Sequence, residues 1–137
     1  MKKFLAFPLI LLLLALSACA SAVGTPQDGQ YTIGVALTGG TGRATVESPV
    51  KLMVVGGEMT AVITWSSPNY DFMLVGGQKY LPINKGGNST FEIPVSRLDA
   101  ELPVSAETTA MSQPHVIDYT LRFDSSTLKA EGGNETL

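Results

Sequence analysis

The fold is decided by residues 50–65, which read VKLMVVGGEMTAVITW. Apolar side chains occupy every second position on both sides of Gly56 and Gly57, the period of a β-strand with one buried face. A Gly-Gly pair between two such runs is a strong signal for a tight hairpin turn. The stretch therefore predicts two antiparallel strands. The second strand would turn four residues towards the core: Met59, Ala61, Ile63 and Trp65.

The same alternation extends in both directions along the chain. It recurs at residues 31–37, 72–74, 91–95 and 117–123, between turns rich in Gly, Pro and Asn. Seven or eight short strands at this spacing predict an all-β domain, an immunoglobulin-like antiparallel β-sandwich. A small closed barrel is the alternative architecture.

The N terminus carries the pattern of a lipoprotein signal peptide. Lys2 and Lys3 precede an apolar run over residues 4–15, and a lipobox, LSAC, follows at residues 16–19. The run is too short for a comfortable membrane span, and no basic stop-transfer cluster closes it. We therefore expect cleavage before Cys19 and a lipid on its thiol, which would anchor the protein in the outer leaflet of a bacterial cell membrane, in an extracytoplasmic location. An ordinary signal peptide with a chance cysteine is the alternative.

These signals divide the chain into four parts. Residues 1–18 are the signal peptide, and residues 19–29, which are small and polar, form a flexible tether. Residues 30–124 form the β-sandwich. Residues 125–137 are a polar, Gly-containing tail that we expect to fray.

Composition excludes several classes of function. Cys19 is the only cysteine, so its lipidation would leave the mature domain without a thiolate for a metal, a cluster or a nucleophile. Twelve acidic residues against nine basic ones argue against nucleic acid as a partner. His115 is the only histidine, and no nucleophile motif or paired carboxylates accompany it, so we expect a protein that is not an enzyme.

Three methionines fall outside the core pattern. Met53 is out of phase with Leu52 and Val54 and lies with Lys51 on the other face of its strand. Met73 is out of phase with Phe72, and Met111 lies in a polar stretch without strand alternation. Thioethers in such places are candidate ligands for Cu(I) or haem iron. The alternative without a ligand is that these methionines only fill gaps in the hydrophobic core. His115 and Tyr119 follow Met111 at intervals of four, which would place all three on one face of an extended segment. Tyr119 also shares the phase of the last strand, so an ordinary core position is its alternative.

Three segments carry a resemblance to a known family: residues 65–75, 88–95 and 108–121. Together they resemble the haem-binding domain of the Shp family of cell-surface proteins, which is itself similar to the NEAT domains of bacterial haem uptake. The resemblance covers residues 28–125, nearly all of the mature domain. It implies an immunoglobulin-like sandwich that clamps one haem b between a loop region and a late hairpin.

The resemblance also implies site residues. Shp holds iron with two methionines, and the matching positions are Met73 and Met111. NEAT domains use a tyrosine of the last hairpin, and His115 stands at that position, which leaves a Met–His pair open. The implied haem pocket comprises Tyr70, Phe72, His115 and Tyr119.

The function implied is haem relay at the cell surface. A lipid-anchored protein would accept haem from an upstream donor and pass it towards the binding protein of a haem ABC importer. Two alternatives stay open. One is a methionine-based copper carrier that uses the dispersed Met residues with His115, and the other is a ligand-free structural or adhesive immunoglobulin-like module.

Overall fold

The computed structural model describes residues 24–110 and 112–131, so the predicted signal peptide and Cys19 (both within residues 1–23), Met111 and residues 132–137 lie outside the described residues. Within these ranges the chain forms eight strands and no helix, which confirms the all-β prediction. None of the described segments is a helix long and apolar enough to span a membrane. The strands are β1 (Gly29–Gly39), β2 (Val50–Val55), β3 (Glu58–Thr64), β4 (Tyr70–Val75), β5 (Gln78–Tyr80), β6 (Thr90–Val95), β7 (Leu102–Thr108) and β8 (His115–Ala130).

All strands belong to one antiparallel sheet in the order β5-β4-β7-β8-β1-β2-β3-β6. The sheet folds over on itself at β1, whose first half pairs with β2 while residues 34–39 pair only with β8. An irregularity between Thr32 and Gly34 marks the change. As a result β6 contacts β4 and β5 across the interior without joining them in the sheet. The architecture is therefore a sandwich with one open side between β5 and β6.

The hairpin predicted at the centre of the chain is confirmed. Leu52 pairs with Ala61, and the turn uses Gly56 and Gly57 at φ +61° and +83°, values that favour glycine. The Asp28 carboxylate accepts hydrogen bonds from both turn amides, at 2.8 and 3.2 Å. The four predicted core residues are all buried: Met59, Ala61, Ile63 and Trp65.

The prediction that Met73 lacks a core role is wrong. Met73 is fully buried among the core side chains, where it pairs with Ala106 on β7. A register shift between Tyr70 and Phe72 adds an extra residue, Asp71, so that both Tyr70 and Met73 face inward. An inserted residue changes which side chains face inward, and the alternation of so few residues does not reveal it.

The predicted polar tail is wrong for its first six residues, because β8 continues to Ala130. Thr127 Oγ1 accepts a hydrogen bond from the Gly34 amide at 2.7 Å, and Ser125 donates its amide to the Asp99 carboxylate at 2.9 Å. Leu128 is half-buried against the core. Polar side chains here make specific bonds to β1 and to the β6–β7 connection, and composition alone gives no sign of those partners.

Candidate ligand-binding site

Three aromatic side chains form a buried cluster at the end of the sandwich where β3 stops and β4 begins. The Trp65 indole is fully buried and stacks on Tyr70 with ring centroids 4.3 Å apart. Tyr119 of β8 meets Trp65 edge-on at 5.1 Å. Both geometries are favourable arrangements of aromatic quadrupoles. The structure thus brings together two predicted pocket residues, Tyr70 and Tyr119, through a third aromatic residue that the sequence placed in the core.

Burial affects two polar groups of this cluster, the Tyr119 phenol and the Trp65 indole N–H. Burial raises the pKa of Tyr119, and its hydrogen bond with Tyr70 adds to that rise, so the Tyr119 phenol keeps its proton at neutral pH. The Trp65 Nε1–H is buried and has no hydrogen-bond acceptor, alone among the buried side-chain nitrogen and oxygen atoms of the described residues. Such a group costs about 1–3 kcal/mol of stability when it stays unpaired. The cluster therefore retains an unused donor beside two phenols.

The β1–β2 loop, residues 40–49, closes over the cluster. Val46 forms an isolated bridge with Trp65, and Ser66 donates its amide to Thr45 at 2.9 Å. A Cβ on Gly40 would lie 3.0 Å from Tyr119 Cε1, and Gly40 has φ +63°. The loop backbone therefore lies directly against β8, at a position that only glycine fits without a shift.

The β7–β8 hairpin forms the facing wall. His115, Ile117 and Tyr119 alternate along one face of β8 and pass from exposed through half-buried to buried. Thr109 donates both its amide and its hydroxyl to the Asn69 carbonyl, at 2.8 and 3.1 Å, which ties the hairpin to the β3–β4 loop. His115 therefore stands at the solvent-exposed end of a row that leads down to the aromatic cluster.

Other predicted site residues lie elsewhere or outside the described residues. Phe72 is on the opposite face of β4, where Lys79 Nζ lies 4.4 Å from its ring centroid, so the structure does not bring it together with Tyr70. Met73 lies on the inward face but is wholly enclosed by the core. Met111 and Cys19 fall outside the described residues.

Sequence reasoning missed the contribution of the β1–β2 loop. Gly39, Gly40 and Gly42 all have positive φ, as expected of the turn they predicted. Three glycines so close together also indicate that the backbone approaches another segment closely. The structure shows such an approach where Gly40 contacts Tyr119. The β1–β2 loop, which packs over the aromatic cluster, also carries Arg43, whose side chain is exposed.

No protein-family model and no curated protein sequence matches the chain. Solved structures do match its fold, and two of them contain a NEAT domain. One is the NEAT5 domain of IsdX2, a B. anthracis hemophore, in complex with heme, with a TM-score of 0.59, 19% identity, and coverage of 72% of this chain and 97% of that chain. The other is a mutant of the same NEAT5 domain in complex with heme, with a TM-score of 0.60 and the same identity and coverage. The chain therefore has the immunoglobulin-like fold seen in a NEAT domain.

Proposed function

We propose that this chain is a lipid-anchored, extracytoplasmic haem-binding protein that accepts haem from a donor and relays it towards a membrane importer. The observation that carries the proposal is the likeness to a NEAT domain solved with heme, which extends over 97% of that domain. The resemblance of three segments to the Shp haem-binding domain supports it from the sequence alone. No chemical conversion of the haem is required of the protein.

The haem would lie between the β1–β2 loop and the β7–β8 hairpin. These two walls touch where Gly40 meets Tyr119, so haem binding would part them. Parting would expose Val46 and Ile117, two half-buried apolar side chains suited to a porphyrin face. Arg43, an exposed side chain of the β1–β2 loop, could pair with a propionate at the rim.

The iron would be held by Met111 together with either Met73 or His115. Met73 would have to leave the core to reach a porphyrin, because none of its surface is exposed. His115 is already exposed at the start of β8. The burial of Met73 therefore favours the Met–His pair over the Met–Met pair. Either pair consists of neutral ligands, which suit a carrier that must release its cargo.

A hemin titration of residues 20–137 tests the proposal. We expect a shifted Soret band that saturates at one haem per protein. Absence of any shift would overturn haem binding.

Three substitutions then identify the ligands: Met111→Leu, His115→Ala and Met73→Leu. Leucine keeps the volume of a buried methionine, so Met73→Leu tests ligation with little loss of packing. We expect Met111→Leu and His115→Ala to alter the spectrum, and Met73→Leu to leave it unchanged. Met53→Leu on β2 is the matched control, and a change confined to Met73→Leu and Met111→Leu would establish the Met–Met pair instead.

The copper alternative gains no support from the described residues. Met59 and Met73 are both buried in the core, at 5% and 0% exposure, and Met53 is half-buried on β2. Thioethers dispersed in this way do not gather around a common point on the surface. Tight Cu(I) binding without haem uptake would nevertheless reverse the assignment.

A further inference from the structure

A cavity of about 600 Å³ lies on the open side of the sandwich, at the end opposite the aromatic cluster. It exists because β5 and β6 are the two free edges of the sheet and do not close it. The β2–β3 turn at Gly57 and the β4–β5 turn at Gly76 border it. Its volume falls within the range of pockets that bind small molecules, roughly 300–1,000 Å³.

The walls of this cavity are mostly apolar, with polar side chains contributed by Thr25, Thr60, Gln78 and Ser96. Buried Ile93, Leu121 and Phe123 lie at its base, and half-buried Val75 and Tyr80 line its sides. Glu58 is the single charged side chain among the described residues that line it. A cavity with this lining offers little to an anionic or metal-bearing ligand and suits a narrow hydrocarbon chain.

The N-terminal tether leaves the domain at the cavity. Thr25 contributes to the lining, and the Asp28 carboxylate is fixed by hydrogen bonds to the β2–β3 turn beside it. Six peptide steps separate Cys19 from Thr25, a reach of about 20 Å when fully extended. A group attached to Cys19 is therefore within reach of the cavity.

We propose that this cavity holds one acyl chain of the lipid attached to Cys19. The proposal rests on the lipid anchor of the proposed function and is independent of haem binding. Burial of one chain in the domain would hold the cavity end at the membrane surface, while the remaining chains stay in the bilayer.

The first experiment asks whether the cavity accepts a hydrocarbon chain. Residues 19–137 with Cys19→Ser are titrated with cis-parinaric acid, a fluorescent fatty acid. We expect one molecule bound per protein. Val75→Trp, which fills the cavity from its side wall, should weaken binding at least tenfold, and Val55→Trp, the same change at a side chain that is 69% exposed outside the lining, should not.

Folding of the variants is checked by circular dichroism, and Val75→Phe replaces Val75→Trp if the larger side chain prevents folding. Failure of the protein to bind parinarate would overturn the proposal, as would equal binding by the Val75 and Val55 variants. Hemin titration of the same variants should be unaffected by either change. Loss of haem binding with parinarate binding intact would therefore count against the proposed function and not against the cavity.

The second experiment asks whether the protein's own lipid occupies the cavity. Cells are fed a palmitate analogue that carries a photoreactive diazirine, and the lipidated protein is irradiated in bilayer nanodiscs. We expect intramolecular crosslinks to peptides that contain Ile93 or Phe123, lost in Val75→Trp and kept in Val55→Trp. Crosslinks to phospholipid alone, or a mass that shows Cys19 without lipid, would overturn the proposal.

Discussion

Trp65 follows directly after β3, with its indole packed against Tyr70 and Tyr119 and its Nε1–H unpaired. The same side chain thus anchors the core and forms the floor of the candidate site. Period-two alternation predicts its inward orientation, but it does not predict which aromatic side chains meet it. Those contacts depend on β4 and β8, which arrive from distant parts of the sequence.

The phenol pair of this cluster can be tested by removing single hydroxyl groups. Tyr119→Phe keeps the ring and removes the hydroxyl whose interaction with Tyr70 adds to its raised pKa, which should lower the free energy of unfolding by at most about 1 kcal/mol. Tyr70→Phe should lower it by a similar amount. Because both changes delete the same interaction, the double variant should cost little more than either single one. Urea unfolding measures all four proteins, and additive losses would show that the two hydroxyls act separately.

An acidic pair on the outer face predicts a pH-dependent stability. A hydrogen bond with the Asp71 carboxyl is the main cause that raises the pKa of Glu107 above its ordinary value of 4.5, and nearby Lys79 opposes the rise. Because the pKa of Glu107 is higher in the folded protein, this carboxyl group favours folding at pH values below its ordinary pKa. That stabilisation is lost as the pH rises through the pKa of the folded state. Glu107→Gln should therefore stabilise the protein at pH 7 and give a smaller gain at pH 4.

Thermal unfolding across pH 4–7 measures this difference between wild type and Glu107→Gln. Glu92→Gln, a change at an exposed glutamate of β6, is the matched control and should not show the same trend. A gain from Glu107→Gln that is constant with pH would contradict a repulsive carboxyl pair.

At the scale of elements, β4 shows what alternation can and cannot predict. The separation of Phe72 from Met73 onto opposite faces is correct, but the choice of core face is reversed because Asp71 is inserted after Tyr70. Strands without such an insertion, such as β3, follow the pattern throughout. The inward orientation of Trp65 and Tyr119 was therefore predictable from phase, whereas Tyr70 was named only through the family resemblance and the burial of Met73 was not predictable.

The β1–β2 loop provides a second test at this scale, because two of its glycines differ in their surroundings. Gly40 and Gly42 both have positive φ, but a Cβ would meet Tyr119 at 3.0 Å only at Gly40, and nothing lies within 4 Å of the position at Gly42. Alanine at either position strains the backbone, at a cost of about 1 kcal/mol or more. Gly40→Ala should therefore lower the free energy of unfolding more than Gly42→Ala does, because its new methyl group would also crowd the Tyr119 ring.

Chemical denaturation of the two alanine variants measures that difference, and hemin titration shows its consequence for the site. Displacement of the loop from β8 should change haem affinity in Gly40→Ala more than in Gly42→Ala. Equal stabilities for the two variants would show that the loop moves away from β8 at no cost and that its contact with Tyr119 does not stabilise the fold.

At the scale of the whole molecule, the chain enters at one end of the sandwich and the candidate site lies at the other. β1 runs from Gly29, next to the predicted tether, to Gly39, which pairs with Tyr119. Eleven residues of strand span roughly 33 Å. An anchor at Cys19 would therefore keep the cavity end near the membrane and hold the β7–β8 hairpin outward, where a haem donor could reach it.

This orientation can be measured because Cys19 is the only cysteine and its thiol would be consumed by the lipid. A cysteine introduced at Val55, beside the β2–β3 turn, or at Ser112, in the β7–β8 hairpin, then takes a single fluorophore. In nanodiscs with nitroxide-labelled headgroups, the label at position 55 should be quenched more strongly than the label at position 112, because quenching falls steeply over the length of β1. Equal or reversed quenching would mean that the domain lies flat or inverted on the membrane, with the site facing the bilayer and closed to a donor.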